Sequence, residues 1–226
     1  MPESIAELLE KNQSHAETNA TDLETVQDGQ APPFVTVCCS DSRVLQDGML
    51  ENNEPGQVFT VGSIGNRVVQ YTDEGTTISG DVLYPLAHTE TETAIVIGHT
   101  GCGAVTAAYE AMEDGIDEPK GIEHSIELLV DQIDEGYDAL PEDLSREEQI
   151  NHLVEYNVDQ EVQRLLDSDD VPADTQVYGM VYDLHGVYDD TPGMLYVINI
   201  DGERDPATLQ DREPAIDDRI TRQWEY

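Results

Sequence analysis

The chain has 226 residues, and its 49 acidic and 10 basic side chains give a formal net charge of −39. This charge excludes nucleic-acid binding, because a phosphate-binding face needs clustered Lys and Arg. No run approaches the ~20 apolar residues of a membrane span, so we expect no membrane association. The acidity is spread along the chain, and at molar salt a Debye length of about 3 Å screens its self-repulsion. We therefore expect a halophilic protein from a high-salt cytoplasm, rather than an ordinary acidic protein.

The N-terminal residues 3–17 carry an apolar stripe of Ile5, Leu8 and Leu9, which predicts an amphipathic helix that needs a partner surface. Residues 18–33 are polar and end in two prolines that stop a helix. Apolar periodicity then predicts helices at 76–88, 104–112, 121–135 and 146–166, and strands at 34–39, 57–61, 94–98, 177–182 and 194–198. Pro85 lies inside the first of those four helices, so we expect a kink or a later start there.

Short β-branched runs that alternate with helices predict an α/β fold, with a mostly parallel β-sheet flanked by helices and an N-terminal helical arm. We divide the chain into three parts. Residues 1–33 form the arm, expected to pack on a partner subunit. Residues 34–202 form the α/β catalytic domain. Residues 203–226 form an extension that is polar apart from Trp224 and is expected at the surface.

Two motifs stand where predicted strands end: Cys39-Ser40-Asp41-Ser42-Arg43 and His99-Thr100-Gly101-Cys102-Gly103. In an open parallel sheet, ligands bind at the carboxyl ends of neighbouring strands. Two Cys and one His form a three-ligand set that zinc accepts in catalytic sites, with a fourth position left for water. The candidate ligands of one zinc ion per chain are Cys39, His99 and Cys102.

Buried core thiols are the alternative interpretation of these cysteines, since burial is common for Cys. Cys38 and Cys39 are neighbours in a strand and must face opposite sides, so we assign Cys38 to the core. Three cysteines are also a poor disulfide framework, and the first residues lack the features of a signal peptide. Both observations favour a reducing, cytoplasmic location.

The two motifs, about sixty residues apart, resemble those of β-class carbonic anhydrases. The similarity runs from about Gly29 to about Ile200, and residues 29–34 resemble the plant-type branch. The resemblance implies an α/β enzyme that reversibly hydrates carbon dioxide to bicarbonate and a proton by zinc-bound hydroxide. It also implies a homodimer or a dimer of dimers, with the active-site cleft at the subunit interface.

Position by position, the resemblance implies roles for further residues. Asp41 and Arg43 match a catalytic dyad that leaves the fourth zinc position to water, and in a closed state of some members the Asp occupies that position. The residues expected to bind or line the substrate are Gln30, Phe59, Tyr84 and Gly103.

The chain departs from the family pattern at Gly62 and Ser63, where a basic residue and an asparagine are usual. This departure keeps open a hydrolase on the same scaffold that acts on carbon disulfide or carbonyl sulfide. The motifs are also compatible with a non-catalytic zinc-binding protein, and with a redox sensor that uses Cys39 and Cys102 as a switch.

Overall fold

The computed structural model describes residues 4–73 and 75–226. Its helices are α1 (Ile5–Thr25), α2 (Gln46–Met49), α3 (Gly80–His88), α4 (Gly103–Asp114), α5 (Lys120–Asp138), α6 (Arg146–Leu166) and α7 (Pro206–Arg212). The strands are β1 (Phe34–Cys39), β2 (Val58–Ser63), β3 (Val69–Thr72), β4 (Gly75–Ile78), β5 (Thr93–His99), β6 (Gln176–Asp183) and β7 (Met194–Ile200). A 3₁₀ turn covers Asp217–Arg219. None of the described helices is both long and apolar enough to cross a membrane.

The central sheet has the strand order β2-β1-β5-β6-β7. Three of its four pairings are parallel, and only the pairing of β6 with β7 is antiparallel. This confirms the predicted α/β fold with a mostly parallel sheet. Since β1 and β5 are parallel neighbours, Cys39 and His99 stand at the same edge of the sheet, as predicted.

Helix α6 lies against the middle of the sheet, and two glycines permit this close approach. A Cβ on Gly98 of β5 would lie 2.7 Å from Val158 of α6, and a Cβ on Gly179 of β6 would lie 2.9 Å from the same side chain. Any larger residue at these positions would push the helix away. The spacing of α6 from the sheet is therefore set by residues on β5 and β6.

Three predicted helices and all five predicted strands agree with the structure to within three residues, and the helix at 146–166 has the predicted bounds. The prediction for 76–88 is wrong in its first turn. Residues 75–78 instead form β4 of a hairpin, because β-branched Thr76, Thr77 and Ile78 favour a strand. Helix α3 starts later than predicted, at Gly80, with Ser79 as its N-cap, but Pro85 still lies inside the helix, so the proline does not set this start.

The N-terminal helix is longer than its apolar stripe predicts. It begins with a capping box between Ser4 and Glu7 and continues to Thr25. None of its residues is buried, and Ile5 and Leu9 are 72% and 62% exposed. The single chain therefore offers no surface that covers the stripe.

The expectation that the C-terminal segment lies at the surface is wrong for several side chains. Leu209, Ile220 and Trp224 are buried, which the polar composition of the segment concealed. Arg222 is only 3% exposed, and its Nη2 donates to Asp159 of α6 at 2.8 Å. The segment is thus tied to α6 by a buried ion pair.

We predict that Arg222→Met lowers the free energy of unfolding by about 3–5 kcal/mol, because it removes the nearest counter-charge of the buried carboxylates of Asp159 and Glu155. Urea denaturation measures this loss. The matched control is Arg212→Met, since Arg212 is 42% exposed and pairs with Asp201 at the surface. Its cost should be about 0–1 kcal/mol. Equal losses in the two variants would contradict this account of the C-terminal segment.

Candidate metal centre

The three predicted ligands come together at the carboxyl edge of the sheet. Cys39 ends β1, His99 ends β5, and Cys102 is the N-cap of α4. Their ligand atoms all lie within 4.8 Å of one another, and all three residues are buried. The two sulfurs are 3.8 Å apart, the separation of about 3.8 Å that follows for two zinc–sulfur bonds of about 2.3 Å at a tetrahedral angle. The set fits a tetrahedral zinc ion.

The ring of His99 is oriented as a metal ligand. Its Nδ1 lies 3.1 Å from the carbonyl oxygen of Thr100, to which it can donate. Its Nε2 is buried and has no hydrogen-bond partner among the described residues. A hydrogen bond from one ring nitrogen leaves a lone pair on the other, as metal binding requires. Nε2 thus has a free lone pair beside two thiols, and a zinc ion could bind to all three atoms.

The two ligand sulfurs lie within hydrogen-bond distance of each other, at 3.8 Å. The hydrogen bond with Cys102 lowers the pKa of Cys39 to about 4, and the same bond together with burial raises the pKa of Cys102. A cation between the sulfurs would displace the thiol proton of this hydrogen bond, because the thiolate is the form that binds metal. Cys38 packs instead with Val44 and Ile97 in a separate cluster, and burial raises its pKa to about 12. Cys38 therefore faces away from the site, as predicted.

Asp41 and Arg43 form a bidentate pair beside the ligands. Nε of Arg43 donates to Oδ1 at 2.9 Å, and Nη2 donates to Oδ2 at 2.6 Å. These hydrogen bonds hold the pKa of Asp41 well below its usual range. Asp41 Oδ2 lies 3.8 Å from Nε2 of His99, so the carboxylate faces the ligand set while Arg43 holds both of its oxygens.

The departure at residues 62 and 63 lies directly beside the site. Gly62 and Ser63 end β2, where they pair with Cys38 and Cys39 of β1. A Cβ on Gly62 would lie 3.0 Å from Oγ of Ser40, so a larger side chain would force Ser40 to move. The cleft edge therefore has a different shape and charge from one that carries a basic residue here.

Two of the four expected substrate-lining residues meet in the structure. The rings of Phe59 and Tyr84 are 6.3 Å apart, and Tyr84 is 51% exposed. Gly103 is the first residue of α4, and the space beyond its Cα is open.

Gln30 does not join the site within one chain. The carbonyl of nearby Pro32 accepts a hydrogen bond from Thr91, just ahead of β5, so this segment lies at the amino-terminal edge of the sheet. The six residues of β1 span roughly 20 Å between that edge and Cys39. Gln30 is exposed and makes no hydrogen bond within the described part of the chain.

Sequence reasoning missed the residues that surround the turn between His99 and Cys102. Oδ1 of Asn151 on α6 accepts a hydrogen bond from the backbone N–H of Gly101 at 2.9 Å. Nδ1 of His185 lies 2.8 Å from Oγ1 of Thr100. His185 follows the predicted strand at 177–182, and this position was an available signal, since a parallel strand there also ends at the ligand-binding edge.

The fold and the site define an α/β protein with a buried two-sulfur, one-nitrogen set of ligand atoms that could hold a metal ion. A family profile described as carbonic anhydrase matches residues 34–190. The chain therefore belongs to the carbonic anhydrase family, in its β class.

A curated relative is β carbonic anhydrase 5 of Arabidopsis thaliana, a chloroplastic protein. It is 27% identical over 143 residues, which cover 63% of this chain and 46% of the plant protein. This chain thus spans about half the length of that relative.

Two solved structures show the same fold. The β-carbonic anhydrase CafA of Aspergillus fumigatus superposes with a TM-score of 0.72 at 24% identity, covering 97% of this chain and 100% of its own. One of two tetrameric β-carbonic anhydrases of Sordaria macrospora gives a TM-score of 0.68 at 22% identity, covering 86% of this chain and 96% of its own.

We predict that Cys102→Ser abolishes zinc binding, because a hydroxyl at this position does not supply the thiolate that the site requires. Zinc content per chain after dialysis, measured by mass spectrometry, checks this. Cys38→Ala is the matched control, since Cys38 is an equally buried thiol on the other side of β1. It should retain one zinc ion per chain. A Cys102→Ser protein with full zinc content would show that the ligand assignment is wrong.

Proposed function

We propose that the protein catalyses the reversible hydration of carbon dioxide to bicarbonate and a proton with one zinc ion per chain. The observation that carries this proposal is the buried set of Cys39, His99 and Cys102 beside a carboxylate held by arginine. Zinc bound to three protein ligands lowers the pKa of a coordinated water to about 7 and so supplies a nucleophile near neutral pH. Family membership supports this chemistry for the chain.

Asp41 and Arg43 keep the centre open in this proposal. Because Arg43 donates to both carboxylate oxygens of Asp41, the carboxylate stays ionised and bound to arginine, although its Oδ2 lies only 3.8 Å from Nε2 of His99. Oδ1 accepts from both the backbone N–H and Nε of Arg43, whereas Oδ2 accepts only from Nη2 and retains a lone pair that can accept a hydrogen bond from a group at the open position. Asp41 thereby orients that group, and its low pKa keeps this acceptor available throughout the neutral pH range.

We infer that Phe59 and Tyr84 line the substrate site of a neighbouring subunit, because Phe59 pairs with Val35 near the start of β1 and so lies toward the edge of the sheet away from Cys39. Phe59 and Tyr84 offer an apolar surface, which suits carbon dioxide because the molecule carries no charge and has no hydrogen to donate. Bicarbonate carries a charge and gains little from the same surface. We infer that this contrast favours entry of the gas and release of the anion.

We infer that a second copy of the chain completes the assembly. Helix α1 exposes Ile5, Leu8 and Leu9 along one stripe, and such a stripe is stable when a partner covers it. Gln30 could contribute to a substrate site only in a neighbouring subunit, since it lies at the opposite edge of its own sheet. The tetrameric relative from Sordaria macrospora supports an oligomer of two or four chains.

Gly62 and Ser63 favour one alternative substrate class on this scaffold, namely carbon disulfide or carbonyl sulfide. Gly62 removes one positive charge from the cleft edge relative to a basic residue, and these sulfur substrates are apolar like carbon dioxide. Activity toward carbon disulfide without activity toward carbon dioxide would favour this alternative.

We predict that stopped-flow measurements on zinc-loaded protein in molar KCl show carbon dioxide hydration whose rate rises through one ionisation near pH 7. Asp41→Asn should keep zinc but lower kcat/KM by about 10- to 100-fold, because it breaks the contact with Arg43. Asp138→Asn, at the exposed end of α5, is the matched control and should match the wild type. Zinc-loaded wild type with no rate above buffer would overturn the proposed reaction.

We also infer that the protein works in a high-salt cytoplasm, which its charge of −39 supports. The Debye length falls from about 10 Å at 0.1 M salt to about 3 Å at 1 M, so repulsion between surface carboxylates weakens. The melting temperature should rise steeply between these KCl concentrations. A melting temperature that does not depend on KCl would argue against a halophilic origin.

A further inference from the structure

The backbone turn between His99 and Cys102 is held by side chains that lie outside the ligand set. Thr100 is 1% exposed, and its hydroxyl accepts a hydrogen bond from the backbone N–H of Leu184 at 2.9 Å. The same oxygen lies 3.3 Å from Oδ1 of Asp183 and 2.8 Å from Nδ1 of His185. One buried hydroxyl therefore meets three groups from the end of β6.

A count of protons assigns the direction of these hydrogen bonds. The hydroxyl of Thr100 has one proton, and both Asp183 and His185 present an atom within reach of it. If Nδ1 of His185 carries a proton and donates to the hydroxyl, then the hydroxyl can donate to Asp183. This arrangement satisfies every group and uses the full capacity of the hydroxyl oxygen. The result is a chain of hydrogen bonds from His185 through Thr100 to Asp183.

Asp183 forms the fixed end of this series of hydrogen bonds. It is fully buried at the carboxyl end of β6. Its Oδ1 also accepts from the backbone N–H of His185 at 3.2 Å, and its Oδ2 accepts from that of Tyr188 at 3.0 Å. With both oxygens engaged by the backbone, the carboxylate cannot turn away from Thr100.

The position of Thr100 decides the orientation of His99. The backbone N–H of Thr100 donates to the carbonyl of Tyr182 at 3.1 Å, and its own carbonyl lies 3.1 Å from Nδ1 of His99. Any rotation of the Thr100 peptide would remove that acceptor from Nδ1. The imidazole would then lose the contact that directs Nε2 toward the two sulfurs.

We propose that Thr100, Asp183 and His185 are positioning residues of the zinc site. Together they hold the Thr100 carbonyl against Nδ1 of His99, so that the site is preorganised before metal binds. This inference rests on the zinc centre of the proposed function and adds the residues that orient it. Partners of this kind typically contribute about 10- to 100-fold to metal affinity.

The test is zinc affinity, measured by competition with a chromophoric chelator on refolded or dialysed protein. Thr100→Val keeps the side-chain shape but removes the hydroxyl, and we expect it to weaken zinc binding by about 10- to 100-fold. Thr100→Ser, which keeps the hydroxyl, should restore affinity close to that of the wild type. Thr175→Val is the matched control, because the Thr175 hydroxyl is buried without a hydrogen-bond partner among the described residues. The zinc affinity of this variant should equal that of the wild type.

His185→Ala provides a second variant that does not depend on a buried substitution, since His185 is exposed. This variant should also weaken zinc binding. The double variant His185→Ala, Thr100→Val should lose no more zinc affinity than Thr100→Val alone, because the two side chains belong to one series of hydrogen bonds. If the wild type binds zinc and both single variants bind it equally tightly, the positioning role is wrong while the proposed function stands. A wild type that takes up no zinc would overturn the proposed function and this inference with it.

Discussion

The parallel pairing of β1 with β5 is the constraint on which the rest of the structure depends. In its register Cys38 lies opposite Ile97, so Cys39, the last residue of β1, stands beside the end of β5, where His99 is the last residue and their ligand atoms meet. Successive residues of a strand face opposite sides, and a slip of one residue would exchange Cys39 for Cys38. The hydrophobic clusters on the two faces of the sheet separate these two cysteines and so fix the register. The metal centre is thus a consequence of strand pairing.

Helix α6 is the second support of the site, although it carries none of the metal ligands. Asn151 holds the turn at Gly101, and Nδ2 of Asn157 donates to the carbonyl of Gly65 at 3.1 Å in the loop beside Cys39. Burial raises the pKa of Glu161 on this helix to about 7, although its carboxylate accepts a hydrogen bond from the backbone of the same loop. Burying polar groups on a helix costs folding free energy unless they are hydrogen-bonded. Here their hydrogen bonds tie the turn at Gly101 and the loop at 64–68 to one rigid helix.

The sequence was sufficient to predict the strands, the parallel sheet and the three ligands, because each depends on local patterns: short apolar runs, turn residues and Cys and His at strand ends. The sequence was insufficient where contacts between distant parts of the chain determine which residues are buried. The C-terminal segment looks polar, yet Arg222 is buried because it pairs with Asp159 on α6, a partner 63 residues away. The role of Asn151 likewise follows from the packing of α6 against the turn, which no local pattern encodes. The hairpin of β3 and β4 was missed because the helical spacing of 76–88 outweighed its β-branched start.

X-ray absorption at the zinc edge of the loaded wild-type protein tests the central claim most directly, because it reports the atoms bound to the metal. The site of Cys39, His99 and Cys102 predicts two sulfur neighbours at about 2.3 Å and nitrogen or oxygen neighbours at about 2.0–2.1 Å, with four neighbours in total. A first shell without sulfur, or one of four sulfurs, would contradict the assignment of this centre.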